Sequence, residues 1–258
     1  MKDWSGRLLL GRGWAIYNGP VGDGEYHRHS AVQICISNNS ELVLDLGIEE
    51  TQVTCGVVVV GADQLHRLHV SSEPATLIYI DGSSVAGTSV RSQLGSDAYH
   101  CPDSVQAALI RMAIAENSST PRSSQAALVA SQLWKGASVR AEQDIIDPRV
   151  REILTRLDEV QYLPRSVSPF ARLVGLSDSR LRHLFKEQVG ISPSKYLLWL
   201  KLQKAVRKFD NEGSLTEVAY AGGFSDSAHF ARTFRRTFGI SPSDLTKHGK
   251  VALEMKLS

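Results

Sequence analysis

The chain has 258 residues, 42% of them hydrophobic and 22% charged, which is an ordinary soluble composition with room for two domains. Its formal net charge is +2, and its longest aliphatic run is four valines, far below the roughly 20 apolar residues that a membrane helix needs. The N-terminus shows no secretory signal, so we expect a cytoplasmic protein with no membrane partner. Cysteines this few favour a reducing compartment and are expected to be small buried hydrophobes: Cys35, Cys55 and Cys101.

Short apolar or alternating segments, each bounded by Gly, Asn, Asp or Pro, follow one another from residue 6 to about residue 85. Closely spaced segments of this kind predict the strands of a small barrel or sandwich. We assign residues 1–101 to this β domain. The clearest segments are WAIYNG (14–19), AVQICIS (31–37), ELVLDLG (41–47), TCGVVVVG (54–61) and ATLIYID (75–81).

Two Ala-rich segments follow and predict two helices within residues 102–136. The second has Thr120 placed as its N-cap and Pro121 at its first helical position. Residues 137–146 lack periodicity and are predicted to be a linker. Beyond them the sequence reads as helical through about residue 248.

One pattern occurs twice in this helical region. The opening Gly-apolar-Ser-Asp-Ser recurs after 48 residues, at Gly175 and Gly223, and the closing Gly-Ile-Ser-Pro-Ser recurs after 49. A repeat of this kind indicates one supersecondary unit used twice. Each copy predicts a helix, a tight turn that contains the glycine, and a second helix. A small residue under each turn, Ala171 or Ala219, lets the two helices cross closely, as a helix-turn-helix unit requires.

The second helix of each copy is predicted to bury one face. Ser225 is expected to be its N-cap in the second copy, with Asp226 at the positive end of the helix and Gly239 as its stop. A further helix is expected to start at Ser241-Pro242. The buried stripes are predicted to be Leu181, Leu184, Phe185 and Val189 in the first copy and Phe230, Thr233, Phe234 and Phe238 in the second.

The opposite faces of these two helices carry cations near their N-terminal ends. Arginine there could contact guanine in a major groove while other cations hold phosphates; the plainer interpretation is a solvated polar face. Residues 147–250 hold 18 Lys/Arg and 11 Asp/Glu (+7), whereas residues 1–146 hold 10 and 15 (−5). This asymmetry favours a polyanionic partner for the C-terminal half. A long helix between the copies is predicted to bury Leu198, Leu202, Ala205, Val206 and Phe209.

Residues 147–250 resemble the DNA-binding domain of the AraC/XylS family of bacterial transcription regulators. The resemblance is carried by ARLVGLSDSRLRHLFKEQVGISPSKYL, by KLQKA in the long helix, and by EVAYAGGFSDSAHFARTFRRTFGISPSDL. It implies seven helices, with helix-turn-helix units at about 166–190 and 214–239 held on one rigid bridge. The two recognition helices would then enter successive major-groove segments roughly 34 Å apart. One departure is Lys201, where the family commonly carries Arg.

The family pattern also implies which residues contact double-stranded DNA. It assigns the base contacts to the exposed start of each recognition helix and the phosphate contacts to flanking residues. The implied base contacts are Ser179, Arg182, His183, Ala228, His229 and Arg232. The implied phosphate contacts are Ser177, Lys186, Ser225, Arg235 and Arg236.

The segment GEYHRHSAVQICIS is the informative part of the N-terminal half. In an extended strand His27, His29 and Gln33 share one face, and Arg28 points away from it. Family members often carry a small cupin-like β-barrel with a similar His-x-His strand, and His66 and His69 follow later in the chain. Three interpretations stay open: an effector pocket formed by His27, His29, Gln33 and His66; a metal site with His27, His29 and His66 as weak candidates; or side chains that only satisfy strand and loop hydrogen bonds. Gln33 stands about where cupin enzymes have Glu, which disfavours a catalytic metal.

The resemblance implies an α+β protein, with a cupin-like β-barrel and two helices before the all-α DNA-binding domain. We predict a sequence-specific DNA-binding transcription regulator, an activator that responds to a small-molecule effector and contacts RNA polymerase. Residues 102–136 resemble the family's dimerisation element, although packing onto their own barrel is as simple. The apolar seam of a homodimer would use Leu109, Met112, Ala127, Leu128 and Trp134.

We predict no enzyme activity and no cofactor. The alternatives are a cupin-type metal enzyme or metal sensor fused to a DNA-binding domain, a DNA-repair alkyltransferase fused to the same kind of domain, and an adaptor that binds protein. The alkyltransferase would need a cysteine cluster, and the chain has three scattered cysteines. The positive charge of the C-terminal half disfavours the adaptor.

Overall fold

The computed structural model describes residues 7–11, 13–21, 25–37, 41–47, 51–69, 71–116, 147–160, 162–189, 191–209, 214–239 and 241–243. Within them, antiparallel sheets form the N-terminal half and helices form the C-terminal half, as the predicted α+β class requires. The second helix expected within 102–136, the linker 137–146 and most of the helix expected from Pro242 lie outside the described residues. No helix of the described part has the length and apolar character needed to span a bilayer.

The described strands form two antiparallel sheets, a larger one in the order β1-β2-β8-β3-β6-β9 and a smaller one in the order β5-β4-β7. They form no closed sheet, so the predicted cupin-like barrel is not observed among them. An isolated antiparallel bridge between His27 and His66 connects the segment before β3 to the smaller sheet. The strands are β1 Arg7–Leu10, β2 Trp14–Val21, β3 Ala31–Ser37, β4 Leu42–Leu46, β5 Thr51–Cys55, β6 Val57–Val60, β7 His66–Leu68, β8 Ser71–Asp81 and β9 Tyr99–His100.

Strand β3 is buried along its whole length because it is central in the larger sheet and covered on both faces. Ile34 and Ile36 face one core cluster together with Val90 and Ile110, two residues of helices that cover the sheet. Residues of the other parity face the second cluster, which continues into the C-terminal half. Gln33 lies on this second side, opposite Tyr79 of β8.

The helices of the described part are α1 Val85–Leu94, α2 Ser104–Glu116, α3 Pro148–Glu159, α4 Ser168–Leu173, α5 Asp178–Val189, α6 Pro193–Phe209, α7 Leu215–Ala221 and α8 Ser227–Phe238. Helix α1 was not predicted, because its sequence VAGTSVRSQL is rich in residues of low helix propensity. Burial of Val90 and Leu94 against the sheet stabilises it nevertheless. The prediction of one strand over TCGVVVVG is also wrong. The segment breaks at Gly56 into β5 and β6, which belong to different sheets.

The two helix-turn-helix units, α4–α5 and α7–α8, share the same turn geometry. Gly175 and Gly223 both adopt positive φ, 67° and 71°, a conformation that favours glycine. The following amide donates to the carbonyl of the small residue under the turn, Leu176 to Ala171 at 2.8 Å and Phe224 to Ala219 at 3.0 Å. The sequence repeat is therefore a repeat of backbone hydrogen bonds.

Helix α6 lies between the two units and also packs against the larger sheet. Tyr196, Trp199 and Leu202 are at most 1% exposed, whereas Leu198, which was predicted to be buried, is only partly so. The prediction placed a single buried face on this helix. The structure buries more of it because neighbours pack on several sides at once.

Polar contacts fix α6 to the N-terminal half. The indole N–H of Trp199 donates to a carboxylate oxygen of Asp81 at 3.1 Å, and the side chain of Gln203 donates to the carbonyl of Leu10 at 3.0 Å. Lys195 lies 3.4 Å from the same Asp81 oxygen. Burial alone would raise the pKa of Asp81, but hydrogen bonds from Ser83 and Trp199 and the charge of Lys195 hold that pKa below its usual value.

Gly222→Ala is expected to destabilise the second helix-turn-helix unit. A Cβ at this position would lie 2.7 Å from Cβ of Ala205 and 2.8 Å from the carbonyl oxygen of Lys201, so α6 and α7 would have to separate. Overpacking of this kind costs about 1–3 kcal/mol of unfolding free energy, measurable by urea denaturation. Tyr220→Ala, at an exposed position of the same turn, is the control, and an equal loss in both variants would contradict the close crossing.

Asp81→Asn is expected to lower the free energy of unfolding by about 1.5–3 kcal/mol at neutral pH, because it weakens hydrogen bonds to a buried charge. The folded-state pKa of Asp81 is depressed, so the contribution is present above pH about 4 and is lost as the pH falls through that folded pKa. The difference between wild type and variant should therefore shrink in acid denaturation series. Asp97→Asn, at an exposed position, is the control, and a pH-independent difference would contradict the ionic role of Asp81.

Candidate nucleic-acid interface and histidine cluster

Helix α8 begins at a polar cap that differs by one residue from the predicted one. Asp226, not Ser225, is the N-cap, and its carboxylate accepts the backbone N–H of His229 at 2.6 Å. Ser225 donates its hydroxyl to the other carboxylate oxygen at 2.9 Å, which holds the cap in place. The carboxylate also suits the positive end of the helix dipole. Hydrogen bonding to the His229 amide lowers the pKa of Asp226.

The buried and exposed faces of α5 and α8 largely follow the prediction. Leu181, Leu184 and Phe185 are buried in α5, and so are the three predicted phenylalanines of α8. Val189 and Thr233 are only partly buried. All eleven residues assigned to DNA are exposed on these helices or just before them: Ser177, Ser179, Arg182, His183, Lys186, Ser225, Ala228, His229, Arg232, Arg235 and Arg236.

The two ends of α8 have different surroundings. Its N-terminal half presents the predicted base-contacting residues to solvent. Its last turn, in contrast, is held by the N-terminal half of the chain, because Ser30 donates its backbone N–H to the carbonyl of Arg236 at 3.0 Å. Arg235 lies 3.6 Å from Glu25 in an exposed ion pair, which contributes little by itself. The N-terminal half of the chain therefore anchors α8, the helix whose exposed face (the reading face) carries the predicted base-contacting residues of the second unit.

The structure brings together the four residues predicted to form a pocket. His27, His29, Gln33 and His66 are between 0% and 8% exposed, and Arg28 is exposed, as predicted. The side-chain oxygen Oε1 of Gln33 lies 2.8 Å from Nε2 of His29 and 2.9 Å from Nε2 of His66. We call His27, His29 and His66 the histidine cluster.

Burial controls the charge of this cluster. It lowers the pKa of His29, and it lowers the pKa of His66 further because the neighbouring histidines oppose a second positive charge. These two imidazoles are therefore neutral at neutral pH. A neutral imidazole keeps one nitrogen lone pair, which can accept a hydrogen bond or bind a metal ion.

Other polar residues of the sheets make contacts outside the histidine cluster. His69 is not part of the cluster but lies 2.8 Å from the Asp45 carboxylate, which also pairs with Arg67. These partners overcome the effect of burial and lower the pKa of Asp45 to about 2. Cys35 is buried as predicted, whereas Cys55 and Cys101 are only partly buried.

Sequence reasoning missed the contacts that join the cluster to α8. Gly239 ends α8 with a φ of 77°, and a Cβ on it would lie 2.3 Å from Nε2 of His27 and 3.0 Å from Cδ2 of His29. Tyr79 packs edge-on against both His29 and Phe238, with ring centroids 5.5 and 5.6 Å apart. Gly239 was predicted only as a helix stop. Its contact with histidines more than 200 positions away has no local sequence signal.

Comparison with known proteins is consistent with the geometry of the C-terminal half. Residues 170–248 match the model of a family described as a helix-turn-helix domain. A stretch of 76 residues is 43% identical to the HTH-type transcriptional activator RhaS of Escherichia coli O139:H28. This stretch covers 29% of the chain and 27% of that relative, so the chain matches only about a quarter of the relative's length.

Two solved structures are similar over different extents. ToxT from Vibrio cholerae O395 aligns over 92% of this chain and 98% of its own, at 12% identity and a TM-score of 0.47. An AraC-type transcriptional regulator from Chromobacterium violaceum aligns over 38% of this chain and 89% of its own, at 33% identity and a TM-score of 0.36. The matched family model and the identity to RhaS support the resemblance seen in the repeat: residues 170–248 form a helix-turn-helix domain similar to those of the AraC/XylS family of transcription regulators.

Proposed function

We propose that the chain is a sequence-specific DNA-binding transcription regulator whose N-terminal half responds to a small-molecule effector. The observation that carries the proposal is the pair of helix-turn-helix units with matching turns, joined by the buried helix α6, each with an exposed recognition helix. One such unit could be an isolated polar surface. Two units in fixed relation on one helix suit two segments of a duplex.

The charge distribution supports DNA as the partner. The +7 charge of residues 147–250 would attract phosphates, and the reading faces of α5 and α8 each offer an arginine, Arg182 and Arg232. Arginine at such a position can make a bidentate contact with guanine. We assign base contacts to Ser179, Arg182, His183, Ala228, His229 and Arg232, and phosphate contacts to Ser177, Lys186, Ser225, Arg235 and Arg236.

The relatives favour activation. RhaS is named a transcriptional activator, and the names of the matched relatives are those of regulators and not of enzymes. We therefore propose an activator that works with RNA polymerase and has no catalytic role of its own.

Effector response would act through the contact between the two halves. Trp199 and Gln203 hold α6, and Ser30 holds α8, so a ligand that favours one packing of the sheets would shift the arrangement of the recognition helices. A ligand can shift this equilibrium only by its difference in affinity for the two arrangements. We assign the effector contacts to His27, His29, Gln33 and His66.

Homodimerisation through residues 102–136 is also proposed. Only the first helix of this region, α2, is described, and it exposes Val105, Leu109 and Met112 to 69%, 47% and 54%. These residues lie four and three positions apart and so share one helix face. An exposed apolar stripe of this kind fits a subunit interface.

Arg232→Ala is expected to weaken binding to a specific site by about 1–3 kcal/mol and to relax the preference at one base pair. The sites would be selected from random duplexes with the full-length wild-type protein, and affinities measured by fluorescence anisotropy at one fixed salt concentration. Arg182→Ala should relax a different base pair, one helical turn away.

Two matched variants make this test specific. Arg236→Ala, at a proposed phosphate contact, should weaken selected and random DNA about equally, and Arg156→Ala removes the same charge from α3 as a control. Equal losses for Arg232→Ala on selected and random DNA would contradict its base-reading role.

The double variant Leu109→Asp/Met112→Asp is expected to convert a dimer into a monomer, because two carboxylates would be buried without partners in the interface. Light scattering coupled to gel filtration measures the change in mass. Tyr162→Asp, at an apolar side chain exposed outside α2, is the control. A monomeric wild type, or a double variant that remains dimeric, would argue against this interface.

A further inference from the structure

The histidine cluster points to a ligand more specific than an unidentified effector. One ring nitrogen from each of His27, His29 and His66 lies within 4.8 Å of the others. We propose that these three residues bind one divalent transition-metal ion, with Zn²⁺ as the reference ion, and that the bound ion stabilises the docked last turn of α8. That metal binding would regulate DNA binding through α8 rests on the proposed function, whereas metal binding itself does not.

The backbone orients the three imidazoles for coordination through Nε2. Nδ1 of His27, His29 and His66 lies 3.3, 3.0 and 2.9 Å from the carbonyl oxygens of Glu25, Ala31 and Gln64. A carbonyl can only accept, so these contacts favour the tautomer with the proton on Nδ1 and the lone pair on Nε2. The same Nδ1–H to carbonyl contact orients metal-binding histidines in known sites.

Gln33 occupies the space where the Nε2 atoms of His29 and His66 converge. In the structure it is Oε1 of Gln33 that lies 2.8 and 2.9 Å from these two nitrogens. Because an oxygen cannot donate to two Nε2 lone pairs, the tautomers described above are satisfied by the reversed amide, whose NH₂ group has one hydrogen for each nitrogen. The Gln33 amide nitrogen, which in the structure donates to the Tyr79 hydroxyl oxygen at 3.5 Å, would exchange places with the amide oxygen, and that oxygen would accept from the same hydroxyl. In that reversed orientation the NH₂ group would supply the positive partner that a metal ion replaces. With a metal bound, Oε1 in the position that the structure shows, facing both Nε2 atoms, could serve as a fourth ligand.

The donor set selects the class of ion. Three imidazole nitrogens without a carboxylate among them suit Zn²⁺ and the neighbouring late transition metals, and not Mg²⁺ or Ca²⁺, which prefer oxygen. At Zn–N distances of about 2.0–2.1 Å, tetrahedral nitrogens stand roughly 3.4 Å apart. Binding would therefore draw the ring nitrogens, which now lie within 4.8 Å of one another, together by up to roughly 1.4 Å.

That movement would be felt by the second recognition helix. Gly239 at the end of α8 lies directly against the rings of His27 and His29, and Ser30, next to His29, donates to the Arg236 carbonyl. The negative end of the α8 dipole thus faces the cluster and favours a cation there. A metal ion would link the rings that contact Gly239 and so hold the last turn of α8 in its docked position.

The first test measures metal binding by the full-length protein after treatment with EDTA and dialysis. Titration with Zn²⁺ in a calorimeter should show one ion per chain, and Co²⁺ should give the visible absorption of a tetrahedral site. His66→Gln should weaken binding by at least about 100-fold, since even residues that only support a ligand contribute 10–100-fold. His69→Gln is the matched control. His69 is close to His66 in the sequence but contacts Asp45 and not the cluster, so this variant should leave the affinity unchanged.

Circular dichroism would establish that each variant is folded. If His66→Gln does not fold, His27→Gln provides a second variant that lacks one proposed ligand. Wild-type protein that binds Zn²⁺ no better than either folded ligand variant would overturn the site. An equal loss of Zn²⁺ affinity in His69→Gln would also overturn the site, because the loss would then not be specific to the histidine cluster.

The second test measures coupling by hydrogen exchange of the peptide 230–239. Zn²⁺ should slow exchange of the amides in the last turn of α8 about tenfold in wild type and leave His66→Gln unaffected, because binding stabilises the state that holds the ion. Stoichiometric binding without this protection would overturn the coupling. Affinity for selected DNA, measured separately in EDTA, tests the proposed function, so failure of one proposal would not be mistaken for failure of the other.

Discussion

The structure depends on the burial of helix α6 between the two helix-turn-helix units and the larger sheet. Trp199 is the central residue of this packing, because its ring is almost fully buried and its N–H reaches Asp81 of the sheet. A buried indole donor needs an acceptor, and a buried carboxylate needs donors, so each group removes the desolvation cost of the other. Through this contact the arrangement of the helices is tied to the N-terminal half.

Docking also divides α8 into two functional ends. The first turns carry the exposed reading face, with Asp226 as a cap that leaves His229 and Arg232 in solvent. The last turn offers its carbonyls and its closing glycine to the N-terminal half, where Ser30 satisfies one of them. A helix end has unpaired carbonyls in any case, so this is where a second domain can attach without disturbing the helix. The contact of α8 with the N-terminal half therefore leaves the face proposed to contact DNA bases free.

The histidine cluster combines these two features. Its residues are buried in the N-terminal half and lie against the anchored end of α8, so any change in their spacing reaches a recognition helix through direct contact. Buried polar groups are costly unless each has a partner, and here the backbone carbonyls and the Gln33 amide provide them. Such a network has a small number of satisfied arrangements, which is what a two-state response requires.

Local sequence determined the helix-turn-helix units, because glycine at positive φ, a small residue beneath it and an apolar stripe of period four are all short-range signals. It also placed His27, His29 and Gln33 on one face, since alternation along a strand is local. It could not predict α1, whose weak propensity is overcome by packing, nor the break at Gly56, which depends on two sheets. Only the tertiary structure brought His66 and Gly239 to His27, and Asp81 to Trp199, because these contacts join residues 39 to 212 positions apart whose pairing depends on how the sheets and helices pack.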